Sequence, residues 1–142
     1  MSIEDLIADF SFLDDWEERY RYVIELGREL APLSAEEHSP ENKVQGCVSQ
    51  VWLVTEPHAE ADGPHLVFRG DSDAHIVRGL IAILLRIYSG KTPAEILAID
   101  AKEIMAKLGL NEHLSPQRSN GLYSMVGRIQ RDARAVSAAA HG

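Results

Sequence analysis

Between Asp73 and Tyr88 the chain places Ile76, Val77, Leu80, Ile81, Ile83, Leu84 and Ile87. At helical spacing these residues cover more than one face, and a helix apolar on several sides has to be enclosed by other elements. The stretch therefore predicts a central buried helix with the rest of the chain wrapped around it. Ser72 or Asp73 stands where a cap belongs, and Ser89-Gly90 ends the run. The apolar stretch is too short to span a bilayer and contains Arg86.

Helical spacing recurs on both sides of this segment. Ile3, Leu6, Ile7 and Phe10 follow Ser2 as a cap. A second helix is expected from Asp14, with Glu17 completing a capping box, and it should stop before Pro32. Ser34 to Asn42 is polar and reads as an exposed loop. The period then changes: Val48 and Val51 to Thr55 are β-formers bounded by Pro57, and Leu66 to Phe68 make a second strand. The Asp62-Gly63 pair between them predicts a hairpin, and Lys43 to Gln45 is expected to add a short third edge. Thr92-Pro93 with Glu95, and Asp100 with Glu103, open two further helices, the second closed by Gly109. After a tight segment at Leu114 to Ser119, a last helix carries Leu122, Met125, Val126 and Ile129, and Ala135 to Gly142 is expected to fray. Helices, then a small antiparallel sheet of about three strands, then more helices make an α+β fold, in a single domain spanning residues 1–142.

Charge narrows the partners. With 14 Lys plus Arg against 22 Asp plus Glu the net charge is −8, which argues against a nucleic-acid binder. Met1 to Phe10 carries three acidic residues and no basic one, so no secretory leader is expected. A cytoplasmic setting, in which thiols stay reduced, is the expectation. The chain has one cysteine, Cys47. That rules out an internal disulfide, a CxxC pair and a cage built from thiolates alone.

Cys47 sits where the polar loop meets the first strand, beside Gly46, whose missing Cβ admits a positive φ. Two readings stand side by side. A free cysteine is commonly a small buried hydrophobe. A thiol on a mobile tip can instead reach a partner, with Lys43 close enough in sequence to favour the thiolate. A hydrolase would need a base, for which His75 at the start of the central helix is the best candidate. The six histidines show no HxxxH or HExxH spacing, so no metal site built within one element is expected, which leaves open one assembled from distant residues. Asp71 and Asp73 suit a helix N-terminus, and Arg118 suits a cap or a carboxylate fork.

Three ordered blocks carry a resemblance. Gly46-Cys47-Val48-Ser49-Gln50-Val51-Trp52 resembles the GCxSxVW signature of the SufE family of sulfur acceptors. Gly70-Asp71-Ser72-Asp73-Ala74 with Ile76 to Leu80 continues it, and Leu114 to Leu122 (LSPQRSNGL) completes it. The resemblance implies an α+β fold like that of SufE and the IscU scaffold. It also implies that Cys47 takes persulfide sulfur from a SufS- or CsdA-like cysteine desulfurase, stimulates that enzyme and passes the sulfur to a SufBCD-like scaffold. No resident cofactor is implied, since the pyridoxal phosphate belongs to the partner. Neither a nucleic acid nor a membrane is expected as a partner, and the chain is expected to be a monomer or weak homodimer. Gly46, Val48 and Ser49 are then expected to set the loop geometry, with Val44, Val48 and neighbouring core residues as an apolar shelter. Asp71, Asp73 and Arg118 would serve docking or loop support. The alternatives are an IscU-type iron–sulfur or zinc scaffold and a cysteine-dependent hydrolase of small molecules.

Overall fold

A computed structural model describes residues 2–141, with side-chain surroundings through residue 139. The order is α1 (Ile3–Ser11), α2 (Trp16–Arg28), β1 (Val51–Glu60), β2 (Gly63–Ser72), α3 (His75–Tyr88), α4 (Pro93–Ala98), α5 (Ala101–Leu108), α6 (Leu110–His113) and α7 (Pro116–His141). The apolar run folds as α3, and 10 of its 14 residues are buried. Helix α2 covers one side of it, β2 another, and α1 and α7 also touch it.

The α2–α3 crossing is unusually close because both helices present glycine. A Cβ built on Gly27 would lie 2.6 Å from the Gly79 amide nitrogen, and one on Gly79 would collide with the Val23 carbonyl. Gly27 is thus the residue that lets the backbones meet. On the opposite side, a Cβ at Gly70 would reach Ile81 at 2.7 Å, so the sheet lies equally tight on α3.

The sheet is a two-stranded antiparallel ribbon, paired from Val51 with Ser72 to Glu60 with Gly63. Pro57 does not end β1. It pairs in register with Leu66, because in a two-stranded ribbon every strand is an edge, where proline is tolerated. The third edge expected at 43–45 contracts to one bridge, Lys43 with Trp52. That bridge is framed by Val44 N–H to Val51 O and Leu53 N–H to Asn42 O, both 2.8 Å.

Several caps differ from expectation in informative ways. Asp15, not Asp14, caps α2 by accepting from Glu18 N–H. Neither Ser72 nor Asp73 caps α3, whose N-cap Ala74 has no side-chain acceptor. Ser72 Oγ instead accepts from Ala74 N–H, and Asp73 turns to Gln50. Helix α7 begins at Pro116, earlier than the apolar spacing indicated, because Ser115 Oγ accepts from Arg118 N–H and proline suits the first helical position. It continues to His141, since Ala133 and Val136 still pack on the core. Gly142, the last residue of the expected frayed tail, lies outside the described residues.

The polar segment 34–42 is a strap across the outer face of the hairpin. Glu37 pairs with Arg69, and His38 Nε2 meets Asp71 at 2.8 Å with its ring edge-on to Trp52. The Arg69 guanidinium holds the Glu37 carboxyl down at about 2. Asn42 Nδ2–H then donates to Glu37 O at 2.9 Å, which fixes the end of the strap where the Cys47 loop begins.

Gly79→Ala should lower unfolding stability by about 1–3 kcal/mol through the clash with Val23. Gly127→Ala, in α7 with open space around its Cβ position, should raise it by about 0.5–1 kcal/mol. Urea midpoints of the two variants check both signs.

Candidate functional site

Cys47 rides on the loop closed by the Val44–Val51 hydrogen bond. Gly46 has φ +90°, and a Cβ there would come within 2.6 Å of Ser124 Oγ, so glycine is required twice over. Ser124 Oγ–H in turn donates to Gly46 O at 3.5 Å. On the far side of the loop Asp73 and Gln50 grip each other. Gln50 N–H donates to Asp73 Oδ1 at 3.0 Å, and Asp73 N–H donates to Gln50 O at 3.3 Å.

The thiol turns inward over α7. Its S–H donates to Gly121 O at 3.5 Å, and the side chain is half-buried. Beside it opens a cavity of about 270 Å³. The loop side is Cys47, Val48 and Ser49, the α3 side Val77 and Leu80, and the α7 side Arg118, Gly121, Leu122 and Met125. Gly121 lies directly under the thiol: a Cβ there would stand 3.6 Å from Sγ, in ordinary contact with it. Burial pushes the Cys47 thiol up from its usual value, and burial is its whole cause. Lys43, expected to favour the thiolate, does not line the cavity, and burial alone shifts the thiol.

The expected site residues divide. Cys47, Val48, Ser49 and Arg118 converge on the cavity. Asp73 supports the loop through Gln50, while Asp71 serves the strap, taking His38 and Arg78 as partners. The shelter expected of Val48 is not provided, since its side chain is 77% exposed. Val44 is buried, but the walls around the thiol come from α3 and α7. His75 is exposed and absent from the cavity wall, and among the described residues no histidine, aspartate or glutamate lines the cavity beside Cys47. Among the described residues no group of three or more His, Cys, Asp or Glu is placed to hold a metal ion.

Sequence reasoning left Gly121 and Arg128 without a role. Gly121 was visible inside the LSPQRSNGL block, where a glycine in a helical turn signals close approach. Arg128 showed only a local pair with Asp132 four residues on; its two carbonyl partners in the loop stem stand 85 and 87 residues earlier in the chain.

Comparison with known proteins is decisive. The profile of the SufE family (Fe-S metabolism associated domain) matches residues 4–133. The chain belongs to the SufE family. An uncharacterized SufE-like protein of Rhizobium etli is 60% identical over 138 residues, covering 97% of this chain and 93% of the relative. Another, from Rhizobium meliloti, is 58% identical over 132 residues, covering 93% and 94%. A solution structure of a hypothetical protein from Thermus thermophilus has the same fold, with TM-score 0.73 over 97% of this chain and 99% of that one, at 18% identity. Membership gives this SufE-family chain a role in iron–sulfur metabolism. Among the described residues no helix is long and apolar enough to cross a membrane.

Because burial raises the thiol in the folded state, alkylation of native Cys47 should titrate with a midpoint above the ~8.5 of a free cysteine. Unfolding in urea should return it to that value. The sign for stability follows. The folded state holds the proton more tightly, so this contribution is full below about pH 8.5 and is lost as pH climbs through the raised value. A rate-against-pH curve for iodoacetamide, native and unfolded, checks it.

Proposed function

We propose that this protein accepts persulfide sulfur on Cys47 from a SufS- or CsdA-like cysteine desulfurase, raises that enzyme's turnover, and passes the sulfur on for iron–sulfur cluster assembly. The observation that carries the reading is the position of the thiol. It is a single nucleophile on a loop tip, tucked against the Gly121 carbonyl over a cavity with room beside the sulfur.

The chemistry is thiol–disulfide exchange applied to a persulfide. The Cys47 thiolate attacks the terminal sulfur of the donor persulfide. A sulfur–sulfur bond forms on Cys47 as the donor's sulfur–sulfur bond breaks, and the donor cysteine departs as thiolate. The proton lost by Cys47 is matched by the one that thiolate can take, and no oxidant or reductant is consumed. Such a step needs a thiol and access but no built-in base, which suits a cavity wall without histidine. A second thiol within reach would attack the Cys47 sulfur of the persulfide, form a disulfide and expel the outer sulfur as sulfide, and the chain has none. In this scheme the sulfur is cargo carried as a persulfide, and pyridoxal phosphate stays with the donor.

The raised thiol is consistent with a carrier that reacts only when docked. In the free protein little Cys47 is thiolate near neutral pH, so adventitious alkylation and oxidation are slow. Exposed Val48 beside it offers an apolar contact through which a partner can draw the tip outward. A SufBCD-like scaffold is the proposed recipient.

Incubation with a cysteine desulfurase and cysteine should add the mass of one sulfur atom to the intact chain, removable by reductant. Cys47→Ser should abolish the adduct and leave the circular dichroism unchanged. An undiminished adduct in that variant would sink the assignment.

A further inference from the structure

Helix α7 does more than wall the cavity. At Arg128 it reaches across to the stem of the Cys47 loop. The guanidinium donates through Nη2 to Glu41 O at 2.8 Å and through Nη1 to Lys43 O at 3.3 Å. Its Nε–H points at Asp132, 3.3 Å from both carboxylate oxygens. Asp132 is itself fixed by Thr55 Oγ1–H of β1 at 2.7 Å. The Arg128 and Asp132 side chains are only 14% and 19% exposed. One fork therefore joins three pieces of the molecule: the loop stem at 41–43, the helix that carries Gly121, and β1 into which the loop runs.

We propose that Arg128 is a positioning residue that sets the depth at which Cys47 sits against α7, and through it the reactivity of the thiol. Among the described residues the other polar ties from the loop to α7 are Cys47 Sγ–H to Gly121 O, a weak thiol bond, and Ser124 Oγ–H to Gly46 O, which at 3.5 Å is long for a hydroxyl. Neither is strong enough to hold the loop down by itself. Arg128 supplies the stronger, charge-assisted bonds, and its planar fork reaches two carbonyls and a carboxylate together. A lysine could meet only part of that set. Arg131 neighbours Asp132 at 3.9 Å but is 70% exposed and makes no bond to the loop.

The role concerns the thiol that the proposed function uses, but the test does not depend on sulfur transfer. Arg118 is the one other charged group on the wall of the Cys47 cavity among the described residues, and it stays unchanged in every variant. In Arg128→Gln the loop should ease away from α7, and water should reach the sulfur. The midpoint of the Cys47 alkylation curve should fall by about half a pH unit, and the rate near neutral pH should rise about threefold. Arg128→Lys should not restore the native midpoint, since charge alone does not rebuild the fork. Thr55→Val, which frees Asp132 and leaves the guanidinium in place, should shift the midpoint in the same direction by less. Circular dichroism melting of each variant confirms that the fold is retained under the assay conditions. A native midpoint in both folded Arg128→Gln and folded Thr55→Val overturns the proposal. So does full rescue by lysine, because the stem is then held by charge and not by the fork. Should Cys47 prove not to accept sulfur, the predicted shift in alkylation would be unaffected, so failure of one claim is distinguishable from failure of the other.

Discussion

Everything in this fold is arranged around how closely its neighbours can approach α3. Gly27 and Gly79 remove the side chains that would otherwise separate α2 from α3, and Gly70 does the same for the sheet. The apolar residues on several faces of α3 are thereby closed off from water on both sides. Burial of this kind contributes on the order of 25 cal/mol per Å² of apolar surface removed from water. The tight approach also makes α3 a fixed reference for the rest. Val77 and Leu80 can then serve as one wall of the thiol cavity while their neighbours in the same helix hold the core together.

On that base the molecule divides the control of Cys47 between a firm stem and a light tip. The stem at 42–44 is bonded to β1, clamped by Arg128 and tied to the strap by Asn42. The tip is held to α7 by a weak thiol bond and a 3.5 Å hydroxyl contact, and to Asp73 through Gln50. Shelter raises the proton affinity of the thiol. Under the proposed transfer, bringing Cys47 to a donor would break only these weak contacts to α7, and exposed Val48 on the same tip would offer the incoming surface an apolar contact.

Much of this was legible in the sequence because it depends on local patterns. The enclosed helix, the Ser2 cap, the capping box at Thr92, the Gly109 turn and the hairpin follow from spacing and turn chemistry, and each is found. The three blocks that mark the SufE family were equally readable, and the family profile spans them. What spacing could not convey was contact between distant segments. The strap at 34–42 looked like free loop because Glu37 and His38 meet Arg69 and Asp71 only in the folded chain. Gly27 inside a helical pattern carries no visible reason in the sequence, because that reason lies in α3. Val48 looked like shelter because a β-branched apolar residue beside a cysteine suggests burial, yet the turn at Gly46 leaves it facing solvent. The clamp role of Arg128 was hidden for the same cause, with its loop-stem partners far back along the chain.

The central claim is that Cys47 receives sulfur directly from a donor persulfide, and single-turnover transfer tests it most directly. A desulfurase loaded with radiolabelled sulfur from cysteine, freed of excess substrate and mixed with one equivalent of this protein, should lose its label. The label should appear on this chain, in a form that reductant releases and that maps to the peptide containing Cys47. Label that stays on the desulfurase, or that maps to any other peptide of this chain, would contradict the claim.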